Sequence, residues 1–299
     1  MSLQLSAFQL PKEGNSWDEM EDAFATTLTE QKPGAEIRFA VADGASASLL
    51  SGEWARILTR AACSPSAAIG DTAALLQQAG GEWRQWLAGY LQQRQDHNRP
   101  LRWYEEPGLR AGGHSTLLSV ALQATDEAVQ WQAAAIGDSC LFHVRQDLLL
   151  AAVPKTCSRQ FTNQPALLAA NAPPASAAPA VLSRGEWRED DELFLLTDAL
   201  AQWFLAACER DGYPWRRLRF AAQESFAAFT ADQRRAGALR NDDVTLLRIT
   251  GLPETGPQPE PDPPCGRRQN KRLRRKERRK QQRLAAEGSG EPSAGLKAR

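Results

Sequence analysis

The chain opens on a short alternating apolar run and turns at Gly14-Asn15-Ser16. It then places four acids in five positions, Asp18, Glu19, Glu21 and Asp22, before Ala23-Phe24-Ala25. Phe39-Ala40-Val41-Ala42 is a continuous apolar run of the kind that makes a buried strand, and it ends at Asp43-Gly44. Helical spacing resumes near Ser51, the predicted N-cap, with Glu53 at the positive end of the dipole and Trp54, Ile57, Leu58 and Ala61 along one stripe. A second helix is predicted over 72–93, with Leu75, Leu76, Trp83, Trp86, Leu87 and Leu91 as core positions. Gly80-Gly81 is expected to kink or split it.

Residues 94–110 are polar and irregular. Strands are predicted over 115–122, 128–136, 140–145 and 148–153. Gly137-Asp138-Ser139 separates two of these apolar runs, a pattern that predicts a hairpin with Asp138 as a turn residue. The Ala- and Pro-rich stretch 169–184 reads as a surface loop. Residues 189–192 form a charged turn feeding a strand over 193–196, which stops at Thr197-Asp198-Ala199 as a helix begins. A further helix is predicted over 215–229, and Asn241-Asp242-Asp243 precedes a last strand over 244–249.

Composition adds a boundary. An apolar content of 42% and a charged content of 24% over 299 residues allow a sizeable core. The net charge of zero hides an asymmetry: between Arg267 and Arg283 eleven Lys and Arg face one acid, Glu277, a local charge of +10, so the rest carries 25 basic and 35 acidic side chains. Six prolines fall within 252–264. A folded domain is therefore expected over 1–252, followed at 253–299 by a Pro-rich linker and basic tail without packed structure. The basic run lacks aromatic residues for base stacking, so it reads as a docking segment for RNA, anionic lipid or an acidic protein, or as a merely solubilising one. Five widely spaced cysteines without a CxxC pair suggest neither a zinc site nor a disulfide framework. With no signal-like N-terminus and no apolar run of spanning length, a soluble cytoplasmic protein without a transmembrane segment is expected.

The chemistry lies in acids that recur at strand ends: Asp22, Asp43, Asp198 and Asp242, with Glu21, Asp138 and Asp243 beside them. Taken singly, each reads equally as a turn residue. Taken together, oxygen-only donors point to a hard cation, Mg2+ or Mn2+, and three histidines are too few for a histidine-rich zinc or iron centre. A G-x-S-x-G elbow, a P-loop and a dinucleotide-binding glycine fingerprint are all missing.

The ordered set Glu21-Asp22-Ala23-Phe24, Val41-Ala42-Asp43-Gly44, 113–118, Gly137-Asp138-Ser139, Leu196-Thr197-Asp198 and Asp242-Asp243-Val244-Thr245 resembles the metal-dependent protein serine/threonine phosphatases of type 2C. The resemblance covers roughly residues 7–250 and implies an α+β fold, a four-layer α/β/β/α sandwich of two antiparallel sheets flanked by helices. It implies two Mn2+ or Mg2+ ions bridged by Asp43, one also held by Asp198 and Asp242, the other by Glu21 and the Gly44 carbonyl. Asp22 acts close by through a metal-bound water, and Asp138 with Asp198 matches the site of a third, weaker ion. The implied reaction is attack of a bridging water on a phosphomonoester, without a protein nucleophile, with a phosphoserine or phosphothreonine protein as substrate and a cognate kinase as partner. Three positions depart from the family pattern. The Arg that many members carry before the first acids is absent from Asn15-Ser16-Trp17-Asp18, so phosphate binding falls to another basic group. The His that follows the DG pair in eukaryotic members is Ala45, as bacterial members also commonly lack it, and the Gly after the third acid is Ala199. The filled acid set favours an active enzyme. The missing Arg leaves open a catalytically weak or inactive domain of this fold that serves as a binding or regulatory module.

Overall fold

The computed structural model describes residues 3–28, 36–125, 128–210 and 212–251. The proline-rich stretch and the basic run lie outside the described residues. One compact unit spans Met1–Pro253.

Two five-stranded antiparallel sheets form the centre. The first runs β1 (Leu3–Leu10), β12 (Val244–Gly251), β11 (Asp191–Leu196), β7 (Cys140–Arg145) and β8 (Leu148–Val153). The second runs β10 (Val181–Trp187), β6 (Val129–Ile136), β5 (Leu117–Ala124), β3 (Ile37–Ala42) and β2 (Ala23–Thr26). A two-stranded piece pairs β4 (His114–Ser115) with β9 (Leu168–Ala169). Helices α1 (Ser51–Ala62) and α2 (Thr72–Asp96) pack on the second sheet, and α4 (Asp198–Cys208), α5 (Pro214–Arg217) and α6 (Gln223–Arg235) on the first. The short α3 (Glu106–Ala111) precedes β4.

Strand alternation builds these layers. In β3, Phe39 and Val41 point between the sheets, where they meet Leu193, Leu195, Leu247 and Ile249, while Ala40 and Ala42 face Trp54 and Leu58 of α1. In β11, Leu193 and Leu195 face inward, whereas Phe194 and Leu196 face Phe204 and Leu200 of α4. Strands β3 and β11 are buried at every position, and residues 39–42 and 193–196 read as continuous apolar runs because both faces are covered. The architecture is the expected four-layer α/β/β/α sandwich.

Several local expectations change. The runs on either side of Gly137-Asp138-Ser139 are not a hairpin. Both edges of β6 are taken by β5 and β10, and β7 pairs with β11 and β8, so this turn carries the chain from one sheet to the other. Gly137 has φ +98°, and a Cβ there would lie 2.5 Å from the Thr116 methyl, so the crossing needs glycine. Ser51 begins α1 but does not cap it: Leu50 is the cap residue, in the left-handed region at φ 64°, and the Ser51 hydroxyl is used elsewhere. Helix α2 runs unbroken through Gly80-Gly81, held by buried Leu76, Ala79 and Trp83. The helix expected over 215–229 is two, because the chain bends to seat both Leu218 and Phe226 in one core while Arg219 turns out to Glu192. The expected surface loop ends in the first residues of β10, and Asp191 and Glu192 of the expected charged turn are buried strand residues.

At the start of β11 a buried polar network ties the sheets together. The Trp131 indole donates to His143 Nδ1 (3.2 Å), which makes Nε2 the protonated nitrogen that donates to Asp191 Oδ2 (2.8 Å). Arg145 forks onto both Asp191 oxygens at 2.6 and 2.8 Å, and the Arg188 N–H adds a fourth bond at 2.8 Å. Burial by itself would raise this carboxyl, but the bonds from Arg145, Arg188 and His143 outweigh it and hold Asp191 below its ordinary value. Asp191→Asn is expected to cost about 3 kcal/mol in urea denaturation, because it leaves buried donors facing a neutral amide. The Asp191 contribution is complete above about pH 4 and is lost as pH falls through the depressed folded value, so wild type and variant should converge in acid. A loss below about 0.5 kcal/mol at neutral pH, as at an exposed pair, would contradict this role.

Candidate functional site

At the opposite end of β11, strand ends from both sheets deliver acids to one place. Asp43 follows β3, Asp138 lies in the crossing between β6 and β7, and Asp198 opens α4 directly after β11. Each offers a carboxylate oxygen within 4.8 Å of the others. Asp138 is buried at 2% exposure, Asp43 is partly exposed, and the Asp198 side chain is 13% exposed.

Main-chain and hydroxyl contacts fix these positions. The Asp43 carbonyl accepts from the Thr116 N–H (2.9 Å) and the Ser115 hydroxyl (2.8 Å), and the Asp43 N–H donates to Thr116 Oγ1 (3.1 Å). Thr116 Oγ1 in turn shares a 2.9 Å hydrogen bond with Ser139 Oγ, which follows Asp138. This hydroxyl pair couples the end of β3 to the crossing between the sheets. Gly44 sits so close to its neighbours that a Cβ would lie 2.8 Å from the Ser51 carbonyl carbon and 2.9 Å from the Glu21 carbonyl oxygen. Close backbone approach, rather than φ, is what requires glycine here.

The remaining acids surround this triad at different depths. Asp22, 4% exposed, accepts from Thr197 (2.9 Å) and Thr245 (2.8 Å) through Oδ2, while its buried Oδ1 has no hydrogen-bond partner among the described residues. The same is true of Asp138 Oδ1. Glu21 stands apart from the triad. Its carboxylate accepts from Ser51 (2.5 Å) and from Ser46, and its main-chain N–H donates to Asp243 Oδ2 (2.7 Å). Asp243 also accepts from the Lys12 N–H (2.7 Å), so it fastens the exit of β1 and the Glu21 backbone to the start of β12. Asp242 approaches the triad through Arg240, whose guanidinium donates to Asp198 and lies 3.3 Å from Asp242 Oδ2. Arg240, Thr197 and Thr245 are the participants that a reading for acids misses. All three carry only a faint signal, as each lies within three residues of a strand-end acid.

Electrostatics set the character of the cluster. Burial first, then repulsion from Asp243 and Asp198, pushes Asp22 well above the ordinary carboxylate range. Hydrogen bonds from Thr245 and Thr197 oppose the rise. Asp43 is pushed well up by burial and then by Asp22, Asp198, Asp242 and Asp138. Asp242 is raised by burial and by Asp198. Two buried carboxylate oxygens without donors, beside three acids that repel one another, form a donor set suited to a hard divalent cation.

Burial, followed by the charge of Asp198, raises Asp138 to about 7. A folded value above the unfolded one of about 3.9 means that protonation of Asp138 favours the fold below about pH 4, a contribution that disappears as pH rises through about 7. In chelator, the wild-type protein is expected to lose stability to urea between pH 4 and pH 8. Asp138→Asn, neutral throughout, should lose less over that window, and equal pH slopes would contradict the assignment.

Comparison with known proteins agrees with this layout. A search of curated protein sequences finds no match. Among solved structures, the serine/threonine phosphatase of S. agalactiae superposes with a TM-score of 0.52 at 15% identity, covering 84% of this chain and all of that one. PppA, a key regulatory component of T6SS in Pseudomonas aeruginosa, superposes with a TM-score of 0.50 at 16% identity, covering 84% of this chain and 99% of that one. These likenesses concern the fold. The sequence profile of protein phosphatase 2C matches residues 18–241, a span that holds Glu21, Asp22, Asp43, Asp138 and Asp198 and stops one residue short of Asp242. With that match extending over most of its length, the chain belongs to the protein phosphatase 2C family.

Proposed function

We propose that residues 1–252 form a metal-dependent phosphomonoesterase that acts on phosphoserine and phosphothreonine in proteins. The observation that carries this reading is the convergence of Asp43, Asp138 and Asp198 within 4.8 Å, drawn from both sheets. In this reading two Mn2+ or Mg2+ ions would be held there, with Asp43 as the ligand common to both. Asp198 and Asp242 complete one ion's ligands, and Glu21 and the Gly44 carbonyl the other's. Asp22 supports the site from behind, and Asp138 with Asp198 offers a place for a third ion. Bound divalent ions supply an acidified water and neutralise phosphoryl charge.

The chain's own part is placement. Thr197 and Thr245 turn Asp22 so that Oδ2 is spent and Oδ1 is available. Ser46 and Ser51 orient Glu21, and Ser115 and Thr116 hold the Asp43 backbone. No side-chain nucleophile is called for. Cys140 lies close to Asp138, but burial raises its thiol and keeps it protonated, and its Sγ–H donates to the Asp138 carbonyl at 3.2 Å. The hydroxyls of Ser46, Ser51 and Ser115 are engaged as donors.

A second reading, a domain that binds a partner without turnover, is favoured by one observation: the Arg240 guanidinium already balances Asp198 and Asp242. In either case the segment 253–299, with its +10 run, is proposed as a docking element for RNA, anionic lipid or an acidic protein. Among the described residues no helix is long and apolar enough to cross a membrane.

An assay on p-nitrophenyl phosphate and on phosphoserine, phosphothreonine and phosphotyrosine peptides separates the two readings. Hydrolysis is expected with Mn2+, to stop in EDTA, and to fall at least about 100-fold in Asp43→Asn. Mn2+ binding without turnover of any of these substrates would exclude the phosphatase reading and leave the binding one.

A further inference from the structure

A phosphomonoester brings close to two negative charges to the acid cluster, and a cationic side chain is needed to receive them. Residues 15–18, just ahead of Glu21, are Asn, Ser, Trp and Asp and provide none. Resting on the phosphatase reading above, we propose that Arg240 is the residue that binds the phosphoryl group, and that without metal the same guanidinium serves as counter-cation of Asp198 and Asp242.

Arg240 lies in the 236–243 loop between α6 and β12, two residues ahead of Asp242. Its Nη2 donates to Asp198 Oδ2 and stands 3.3 Å from Asp242 Oδ2. Its side chain is 38% exposed, so the head sits at the mouth of the cluster and not in the core. Asp43 and Asp138 also feel its charge. One nitrogen, Nη2, makes both contacts, and the planar fork of the whole guanidinium fits the oxygens of a phosphate.

A divalent ion carries twice the charge on a compact centre and takes the same carboxylate oxygens, so it displaces the guanidinium. The loop itself is anchored. Arg234 Nη2 donates to the Asp242 carbonyl (2.5 Å), and Asn241 exchanges hydrogen bonds with the Glu13 backbone at 2.7 and 3.3 Å. The released side chain therefore swings on a fixed base and stays at the rim, where the outward oxygens of a bound phosphoryl group lie. Lys155 is the other cation whose charge reaches Asp138, but an ammonium offers no bidentate fork and it is not paired with the Asp198–Asp242 couple.

The test uses the full chain and the variants Arg240→Ala, Arg240→Lys and Lys155→Ala, in two measurements. Calorimetric titration with MnCl2 in the absence of substrate should show Arg240→Ala binding Mn2+ at least as tightly as wild type, because a competing cation has gone. Inhibition of p-nitrophenyl phosphate hydrolysis by inorganic phosphate, at saturating Mn2+, should weaken about tenfold or more in Arg240→Ala, as expected for loss of a charged hydrogen bond. KM should rise more than kcat falls, Arg240→Lys should recover part of the loss, and Lys155→Ala should match wild type. An unchanged phosphate inhibition constant in Arg240→Ala, a comparable loss in Lys155→Ala, or weakened Mn2+ binding would each overturn the proposal. Weakened Mn2+ binding would mark Arg240 as a support for the ligand loop. A wild-type chain that binds Mn2+ and turns over substrate while Arg240→Ala keeps its phosphate affinity refutes Arg240 alone. A wild-type chain that does neither refutes the phosphatase reading and this inference with it.

Discussion

Mutual repulsion among carboxylates that the fold compels to be neighbours governs this molecule. Asp22, Asp43, Asp138 and Asp242 are each raised by burial and by one another or by Asp198. Left to itself, such a group would separate or take up protons. It cannot separate, because each acid stands beside the terminus of a packed strand: β3 and β11 are covered on both faces, and their positions are set by Phe39, Val41, Leu193 and Leu195 between the sheets. Core packing thus holds in place an arrangement that electrostatics opposes, and the arrangement is one that a divalent cation relieves.

Polar contacts at the two ends of β11 divide the work. At one end Asp191 is saturated by Arg145, His143 and the Arg188 N–H, and its charge is compensated within the protein. At the other, Asp22 and Asp138 each retain a buried oxygen without a donor among the described residues. The same residue type is structural where donors surround it and chemically available where they do not. The hydroxyls of Thr197 and Thr245 lie between these extremes, since they steer the Asp22 carboxylate without neutralising it, while Thr116 and Ser139 hold the backbone that carries Asp43 and Asp138.

The chain belongs to the protein phosphatase 2C family, and its departures from that pattern lie beside the acids proposed here as metal ligands rather than at them. Asp22, Asp43, Asp198 and Asp242 are all present, whereas residues 15–18 carry no cation and Ala45 follows Asp43-Gly44. Arg240 supplies positive charge from a different loop. In this chain, then, the cation comes from the same segment as Asp242, one of the two acids it balances, which couples charge compensation to the segment that leads into β12.

The four layers were legible in the sequence because burial on both faces leaves a residue-by-residue trace: residues 39–42 of β3 and 193–196 of β11 are uninterrupted apolar runs, and α1 and α4 repeat at helical spacing. The strand-end acids were legible for the same reason, as each marks a point where such a run begins or stops. What the sequence could not decide is which strand meets which. The crossing at Gly137-Asp138-Ser139 has the local pattern of a hairpin, and only the occupation of both β6 edges sends β7 to the other sheet and brings Asp138 beside Asp43. Likewise the Ser51 hydroxyl, suited to a helix cap, is claimed by Glu21, 30 residues away, and Arg240 finds Asp198 across 42 residues. Periodicity and composition are properties of neighbours along the chain and can be read there. Pairing partners and charge compensation depend on distances that exist only once the two sheets have packed.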